Sequence, residues 1–180
     1  FDLSKVGSLS EVVAPPYDVI SAETGAELYE KNDFNVVRLI LNQGDKLLPE
    51  QTVYERAAEH LKNWKNDGIL RVDGVGAIYV YHQTFDVAGV EYTRRGFIAR
   101  VRIEPFGQGN IYPHEKTHSK VKEDRFRLME ACNSNLSPIF GIYSNQDSSP
   151  QTMLDLAIQD RTPLTAIDDE GVRHDLWMVT

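Results

Sequence analysis

The spacing of apolar residues predicts helices in several parts of the chain. In the clearest case, apolar residues recur every three or four positions and would form one buried face: Val53, Ala57, Leu61 and Trp64. We expect this helix to begin at Pro49 and to end at Asp67–Gly68. Ser21 is a favourable N-cap for an earlier helix through Glu30, and Pro150 is a favourable start for a later one.

Two longer stretches predict a β-hairpin. They are Gly76–Phe85 and Tyr92–Glu104, and the turn between them contains Gly89. Apolar and charged residues alternate in the second stretch, which favours a sheet with one largely charged face. A second hairpin is expected near the C-terminal end, between Thr165–Ile167 and Val172–Val179.

Three shorter apolar runs are also interpreted as strands: Val12–Ala14, Asn35–Asn42 and Ser137–Tyr143. Pro138 would confine the last of them to a strand start or a sheet edge. Arg38 interrupts the second run. It could point into an anion site, but we favour its being one half of a structural ion pair. Together the elements predict an α+β fold, with helices packed around a mixed or antiparallel sheet.

Composition and charge restrict the class of protein. The chain has 180 residues, of which 41% are hydrophobic and 26% are charged, as in ordinary globular proteins. Its net charge of -8 argues against binding to nucleic acid or to an anionic membrane surface. No apolar run approaches the roughly 18 residues that a membrane span requires. Cys132 is the only cysteine, which excludes an intrachain disulfide and fits a cytoplasmic protein.

The length of the chain allows one domain or two small ones, and we expect a single α+β domain over residues 1–180. The chain opens on Phe1 and ends on Val179–Thr180, within an apparent strand. We therefore expect it to be the N-terminal fragment of a longer protein.

The segment Tyr112–Arg127 concentrates hydrogen-bonding and titratable side chains more than any other part of the chain. These side chains are His114, Glu115, Thr117, His118, Lys120, Lys122, Arg125 and Arg127. An acidic chain that gathers cations in one segment is expected to bind an anion there. We expect a loop followed by a helix through Cys132, with Phe126, Met129 and Cys132 facing inward.

A loop followed by a helix start, with cations nearby, has the parts of a phosphate site. The charge of the phosphate would be neutralised by Lys120, Lys122 and Arg125. His114 could donate to a phosphate oxygen or act as a general acid or base. Glu115 could hold magnesium or accept a proton from a hydroxyl nucleophile. Our hypothesis is that the segment binds the phosphates of a nucleotide.

Other interpretations of this segment stay open. His114 and His118 are spaced for one helical face and could bind zinc, although the segment lacks the H-E-x-x-H order. The segment could equally be a solvated basic turn with structural histidines. A second group of cations belongs to the predicted hairpin, where we expect solvated side chains: Arg94, Arg95, Arg100 and Arg102.

Four stretches of sequence carry a family resemblance: VVAPPYDVI, NVVRLILN, YPHEKT and DRFRLMEACNSNLSPIFGIY. They resemble a prokaryotic family classified as a domain of unknown function, DUF family 1015. The resemblance covers at least residues 12–143. That family is in turn similar to the ParB and sulfiredoxin-like superfamily, which includes free-serine kinases.

The resemblance implies a phosphotransferase that uses ATP and Mg²⁺ and acts on a small hydroxyl compound, with free L-serine as the first candidate. The phosphate-binding element would comprise His114, Glu115, Thr117 and Arg125, with Lys120 and Lys122 as supporting cations. Asp18 follows the rigid Pro15–Pro16 elbow and would match the acidic residue that activates the acceptor hydroxyl. From its residue type alone, Asp18 could also serve only to close the turn.

The chain also departs from that superfamily. It has no cysteine in the loop, unlike sulfiredoxins, and it lacks the double-arginine box and the helix-turn-helix of ParB proteins. Two alternatives to an enzyme therefore stay open. One is a nucleotide-binding regulatory module without turnover, and the other is a protein-interaction domain whose basic patches meet an acidic partner.

Overall fold

A computed structural model of the chain describes residues 1–41, 52–105, 107–114, 118–144 and 148–180. The helices in these ranges are α1 Leu3–Val6, α2 Leu9–Val12, α3 Ala22–Lys31, α4 Val37–Ile40, α5 Val53–Asn66, α6 Ser119–Cys132 and α7 Ser149–Ile158. The strands are β1 Ile78–Val87, β2 Val90–Ile98, β3 Leu164–Ile167 and β4 Arg173–Val179. The predicted α+β class is confirmed.

The strands form one antiparallel sheet in the order β2-β1-β4-β3. Both hairpins that the sequence predicts are present. The first hairpin closes through Ala88 and Gly89, both with positive φ (55° and 82°), as a two-residue turn between twisted strands requires. In the centre of the sheet, Val80 lies opposite Phe97 on one side and Trp177 on the other.

The main core is helical. Its buried residues come from α1, α2, α4, α5 and α6 and from the turn after α5: Val6, Val12, Leu39, Ile40, Ala57, Leu61, Trp64, Ile69, Leu128 and Cys132. The sheet joins this body at β3, where the Ile167 N–H donates to Ser10 Oγ at 2.8 Å. The predicted face of α5 therefore forms the centre of the core.

Local capping fixes where the two longest N-terminal helices begin. Ser21 caps α3, and its hydroxyl accepts from the Thr24 N–H at 3.1 Å. Thr52 caps α5 through a reciprocal capping box with Glu55. The predicted start of α5 at Pro49 lies outside the described residues. Its end at Asp67 and Gly68, where φ is 67°, agrees with the prediction.

Two short runs that we interpreted as strands, Val12–Ala14 and Asn35–Asn42, form no strand in the described residues. Val12 ends α2, and the centre of Asn35–Asn42 forms α4, with Asn42 itself outside the described residues. The run looks like a strand because α4 packs within the core, so its residues are all buried or half-buried. The Asn35 side chain starts the turn by accepting from the Val37 N–H at 3.0 Å.

The structural role expected for Arg38 is confirmed. Its guanidinium lies 3.6 Å from the Asp33 carboxylate and donates to the Tyr29 carbonyl at 2.7 Å. It also lies 4.4 Å from the centre of the Tyr29 ring. Arg38 therefore links α4 to the end of α3.

The predicted strand Ser137–Tyr143 is wrong, because these residues form no strand in the structure. Pro138 lacks an N–H for a ladder, and the side chains of Ile139 and Ile142 are 93% and 91% exposed. Likewise, β2 ends at Ile98 and does not continue to Glu104.

The inward face predicted for α6 is only partly correct. Cys132 is buried, but Phe126 and Met129 are 54% and 44% exposed. The buried face instead runs through Leu128 and Cys132, which are four residues apart and lie against α5.

Candidate functional site

The central basic segment forms the loop-to-helix junction that the sequence predicts. Helix α6 begins at Ser119, after His118 as N-cap, and the His118 side chain makes no capping hydrogen bond. Glu115 and Thr117, the predicted magnesium and phosphate ligands, lie outside the described residues. His114 is exposed and interacts with its surroundings.

The two lysines of the junction are accessible to solvent. Lys120 and Lys122 are exposed in the first turn of α6, and neither forms an ion pair with another described residue. The charge of Lys120 also contributes to lowering the pKa of Asp124. These lysines are therefore accessible to an anion approaching the helix start.

Arg125 is held by the protein on three sides. Its Nε and Nη2 donate to Asp124 Oδ2 at 2.8 Å and 2.5 Å, and its Nη1 donates to the Ile40 carbonyl at 3.0 Å. Its guanidinium carbon lies 4.0 Å from the centre of the Tyr17 ring. Three of its five N–H groups are used in these bonds, and its side chain is 22% exposed.

Asp124 connects this arginine to helix α5. Its Oδ1 accepts from the Tyr54 hydroxyl at 2.8 Å. Burial by itself raises the pKa of Asp124, but hydrogen bonds from Arg125 and Tyr54 outweigh it and hold the pKa below its ordinary value. The carboxylate thus stays ionised and fixes the Arg125 guanidinium in place.

The proline elbow lies against the same arginine. The chain turns over Pro16–Val19, where the Val19 N–H donates to the Pro16 carbonyl at 3.1 Å, and Asp18 is exposed within this turn. Tyr17, the preceding residue, stacks on Arg125. Tyr17 and Arg125 are 108 residues apart in sequence, and their contact brings the elbow against the middle of α6.

Two cavities of the described structure lie outside this junction. A cavity of about 80 Å³ lies between the elbow, at Val13–Pro15, and the β3–β4 turn, at Asp168–Glu170. A larger one, of about 410 Å³, lies on the sheet and includes Arg94 and Glu170. None of the predicted site residues that the structure describes lines either cavity.

A hydrogen-bonded chain that sequence reasoning missed runs across the sheet to the β3–β4 turn. The Tyr81 hydroxyl lies 2.6 Å from His174 Nδ1, and His174 Nε2 lies 3.0 Å from Asp168 Oδ2. With Asp168 ionised, Nε2–H donates to it and Nδ1 accepts from Tyr81. Burial raises the pKa of Tyr81. The three residues belong to three different elements, so no local sequence signal indicates their contact.

The described residues contain neither a candidate metal site nor a candidate membrane span. Among the described residues, no group of three or more His, Cys, Asp or Glu side chains is placed to hold a metal ion. No helix in the described ranges is long and apolar enough to cross a membrane. The predicted Mg²⁺ ligand is outside these ranges, so that assignment stays a prediction.

The fold and the junction define an α+β protein in which the helix that follows the basic loop contacts a proline elbow through Arg125 and Tyr17. A family model described as a protein of unknown function, DUF1015, matches residues 1–180, and the chain belongs to that family. This confirms the family resemblance. No curated protein and no solved structure matches the chain. The relationship to the ParB and sulfiredoxin-like superfamily stays a prediction.

Proposed function

We propose that this protein binds the phosphates of ATP at the start of α6 and transfers the terminal phosphoryl group to a small hydroxyl compound. The observation that supports this most is the contact between Tyr17 and Arg125. It joins the element that carries Asp18 to the element that carries the accessible lysines. A phosphotransferase needs a base and a phosphate site on adjacent elements.

The phosphate site in this proposal consists of the first turn of α6 and its two lysines. The first backbone N–H groups of a helix have no partners within the helix, and the helix dipole favours an anion there. Lys120 and Lys122 add two positive charges in the same turn. Arg125 is mainly a positioning residue, although two of its N–H groups have no bond to the described residues and could reach a phosphate oxygen.

The reaction requires a base and a metal ion. The acceptor hydroxyl would attack the γ-phosphorus, the bond from the γ-phosphorus to the bridging oxygen would break, and ADP would leave. Asp18 would take the hydroxyl proton, and Glu115 would help to hold Mg²⁺ or position the acceptor. Free L-serine is the first acceptor to test, on the family resemblance alone.

The binding test compares two double variants of the full chain by titration calorimetry with ATP and Mg²⁺. Lys120→Ala/Lys122→Ala should weaken ATP binding tenfold or more. Lys62→Ala/Lys65→Ala removes two exposed lysines from α5 and should leave binding unchanged. Equal ATP binding by the wild type and the first variant would contradict the proposal that α6 holds the phosphate site.

The turnover test uses ATP, Mg²⁺ and L-serine, with the product followed by ³¹P NMR. Formation of O-phosphoserine, abolished in Asp18→Asn while ATP binding persists, supports the phosphotransferase. ATP binding without a phosphate ester from L-serine or a panel of hydroxyl metabolites favours the regulatory module instead.

An interaction domain is the second candidate function, and one observation favours it. The chain exposes the apolar side chains of Ile103, Ile139 and Ile142, each more than 90% exposed. Phe140 lies over Arg94, with the guanidinium carbon 5.8 Å from the ring centre. If the chain binds no nucleotide, this basic and apolar surface becomes the preferred site for an acidic partner.

A further inference from the structure

The 410 Å³ cavity on the sheet has a cation, Arg94, on one wall and a carboxylate, Glu170, on the other, and Asp86 adds a second carboxylate on the Arg94 side. One wall belongs to the β1–β2 hairpin and contains Arg94, Gln83 and Phe85. The other belongs to the β3–β4 turn and contains Glu170 and Val172. The cavity is partly open to solvent and is large enough to admit a small metabolite. Neither wall belongs to α6 or to the proline elbow, so a ligand here would not depend on the proposed phosphate site.

Contacts on the hairpin orient the cation of the first wall. The Arg94 Nη1 donates to the Gln83 side-chain oxygen at 3.3 Å. The guanidinium carbon also lies 5.6 Å from the centre of the Phe85 ring and 5.8 Å from that of Phe140. A guanidinium oriented in this way retains N–H groups that can bind a carboxylate in a forked geometry.

The turn that carries the anion of the second wall is fixed by Asp168. Its Oδ1 accepts from the backbone N–H groups of Glu170 and Val172, at 3.0 Å and 2.8 Å. Its Oδ2 accepts from His174. The neighbouring carboxylate of Asp169 forms an ion pair with Lys31, with 2.6 Å between Asp169 Oδ1 and Lys31 Nζ. The Glu170 carboxylate remains, on a rigid backbone, without a hydrogen bond to another described residue.

The two charges do not neutralise each other. Within the described residues, Arg94 forms no ion pair with Glu170 or with Asp86, the other carboxylate of the cavity. Asp86 already accepts from the Gly89 N–H at 2.8 Å and so contributes less to binding. A ligand that carries both signs of charge would satisfy both walls, whereas a simple anion or a simple cation would leave one wall unsatisfied.

We propose that this cavity binds a small zwitterion of the α-amino acid class, with its carboxylate on Arg94, its ammonium group on Glu170 and its side chain toward Phe85. Gln83 orients the Arg94 guanidinium, and the Asp168 turn fixes the backbone that carries Glu170. Less ordering is therefore needed on binding than for two free surface side chains.

The test is saturation-transfer NMR on the full chain without nucleotide, using a mixture of the common L-amino acids as the probe. At least one amino acid should give a signal with the wild type. Arg94→Gln and Glu170→Gln should each weaken its binding tenfold or more. Arg102→Gln is the matched control, because Arg102 is exposed and lies outside the cavity.

The strongest amino acid is then compared with two analogues, one without the amino group and one without the carboxylate. The proposal requires that both analogues bind more weakly. No signal with the wild type, or equal signals in Arg94→Gln and Glu170→Gln, would overturn it. Loss in Arg94→Gln alone, with the deamino analogue still bound, would mean an anion site and would also overturn it. Because ATP is absent, none of these outcomes depends on the phosphate site.

Discussion

The helical region and the sheet of this protein differ in how completely their side chains are buried. In the helical region, Leu28, Val37 and Ala57 are 2% exposed or less and belong to closely packed elements. In the sheet, Val80 and Ala166 are the buried apolar residues among those described. Helix α7, which lies on the sheet, contributes no buried residue among those described.

The difference indicates that the helical region mainly stabilises the fold, whereas the sheet carries the accessible polar groups. Burial of apolar surface provides most of the stability of a domain, so the helical region is expected to dominate the free energy of unfolding. The sheet carries the larger cavity and the Tyr81–His174–Asp168 chain. Polar and charged groups are accessible there because the apolar core lies elsewhere.

The largest expected effect is on the free energy of unfolding, and it is tested by replacing one tryptophan in each region. Trp64 is 4% exposed and contacts the rings of Phe1 and Phe34 at about 6 Å. Its replacement by alanine should lower the free energy of unfolding by about 3–5 kcal/mol, as for other buried tryptophans. Trp177, in β4, is only half-buried, and its replacement should cost less than half as much. Urea unfolding followed by circular dichroism measures both, and equal losses would contradict this difference between the two regions.

A second, smaller effect is expected at Asn35, which is fully buried in the helical region. Its Nδ2 donates to the carbonyls of Glu11 and Val13, at 2.9 Å and 3.0 Å, and so ties the chain before the elbow to α4. Asn35→Ala leaves these buried groups without partners and should cost about 2–3 kcal/mol. Asn63→Ala, at an exposed position on α5, should change stability by less than about 0.5 kcal/mol. A similar small change for Asn35→Ala would show that water replaces its bonds.

The elements that sequence analysis predicted correctly are those specified by local physics. The Ser21 cap, the face of α5 and the turn at Gly89 depend on residues close to one another in sequence. The strand predicted at Ser137–Tyr143 failed because strand formation requires a partner, and no described strand pairs with it. A short helix surrounded by core, such as α4, has no polar face by which its period could be recognised.

The candidate site was predictable in its parts but not in its contacts. The cations of α6 and the elbow at Asp18 could be read from the sequence, whereas the stacking of Tyr17 on Arg125 could not. The same holds for Tyr81 and His174, which are 93 residues apart. Contacts at such separations depend on how the elements pack, and a single sequence does not record that.

The smallest expected effect is the pH dependence of the free energy of unfolding that Asp168, in the sheet region, contributes. Burial by itself raises the pKa of this carboxyl group, but hydrogen bonds from His174 and from the backbone of Val172 and Glu170 lower it below its ordinary value of about 4. A carboxyl group whose pKa is lower in the folded state stabilises the fold at neutral pH, and this contribution is lost as the pH falls from about 4 through the folded pKa. Asp168→Asn keeps the shape but removes the charge, so the wild type should be more stable than the variant at pH 7, by less than about 1 kcal/mol for a partly exposed pair. Urea unfolding between pH 7 and pH 3 should show this difference shrinking in acid, and a difference that stays constant would mean that the Asp168 charge does not stabilise the sheet.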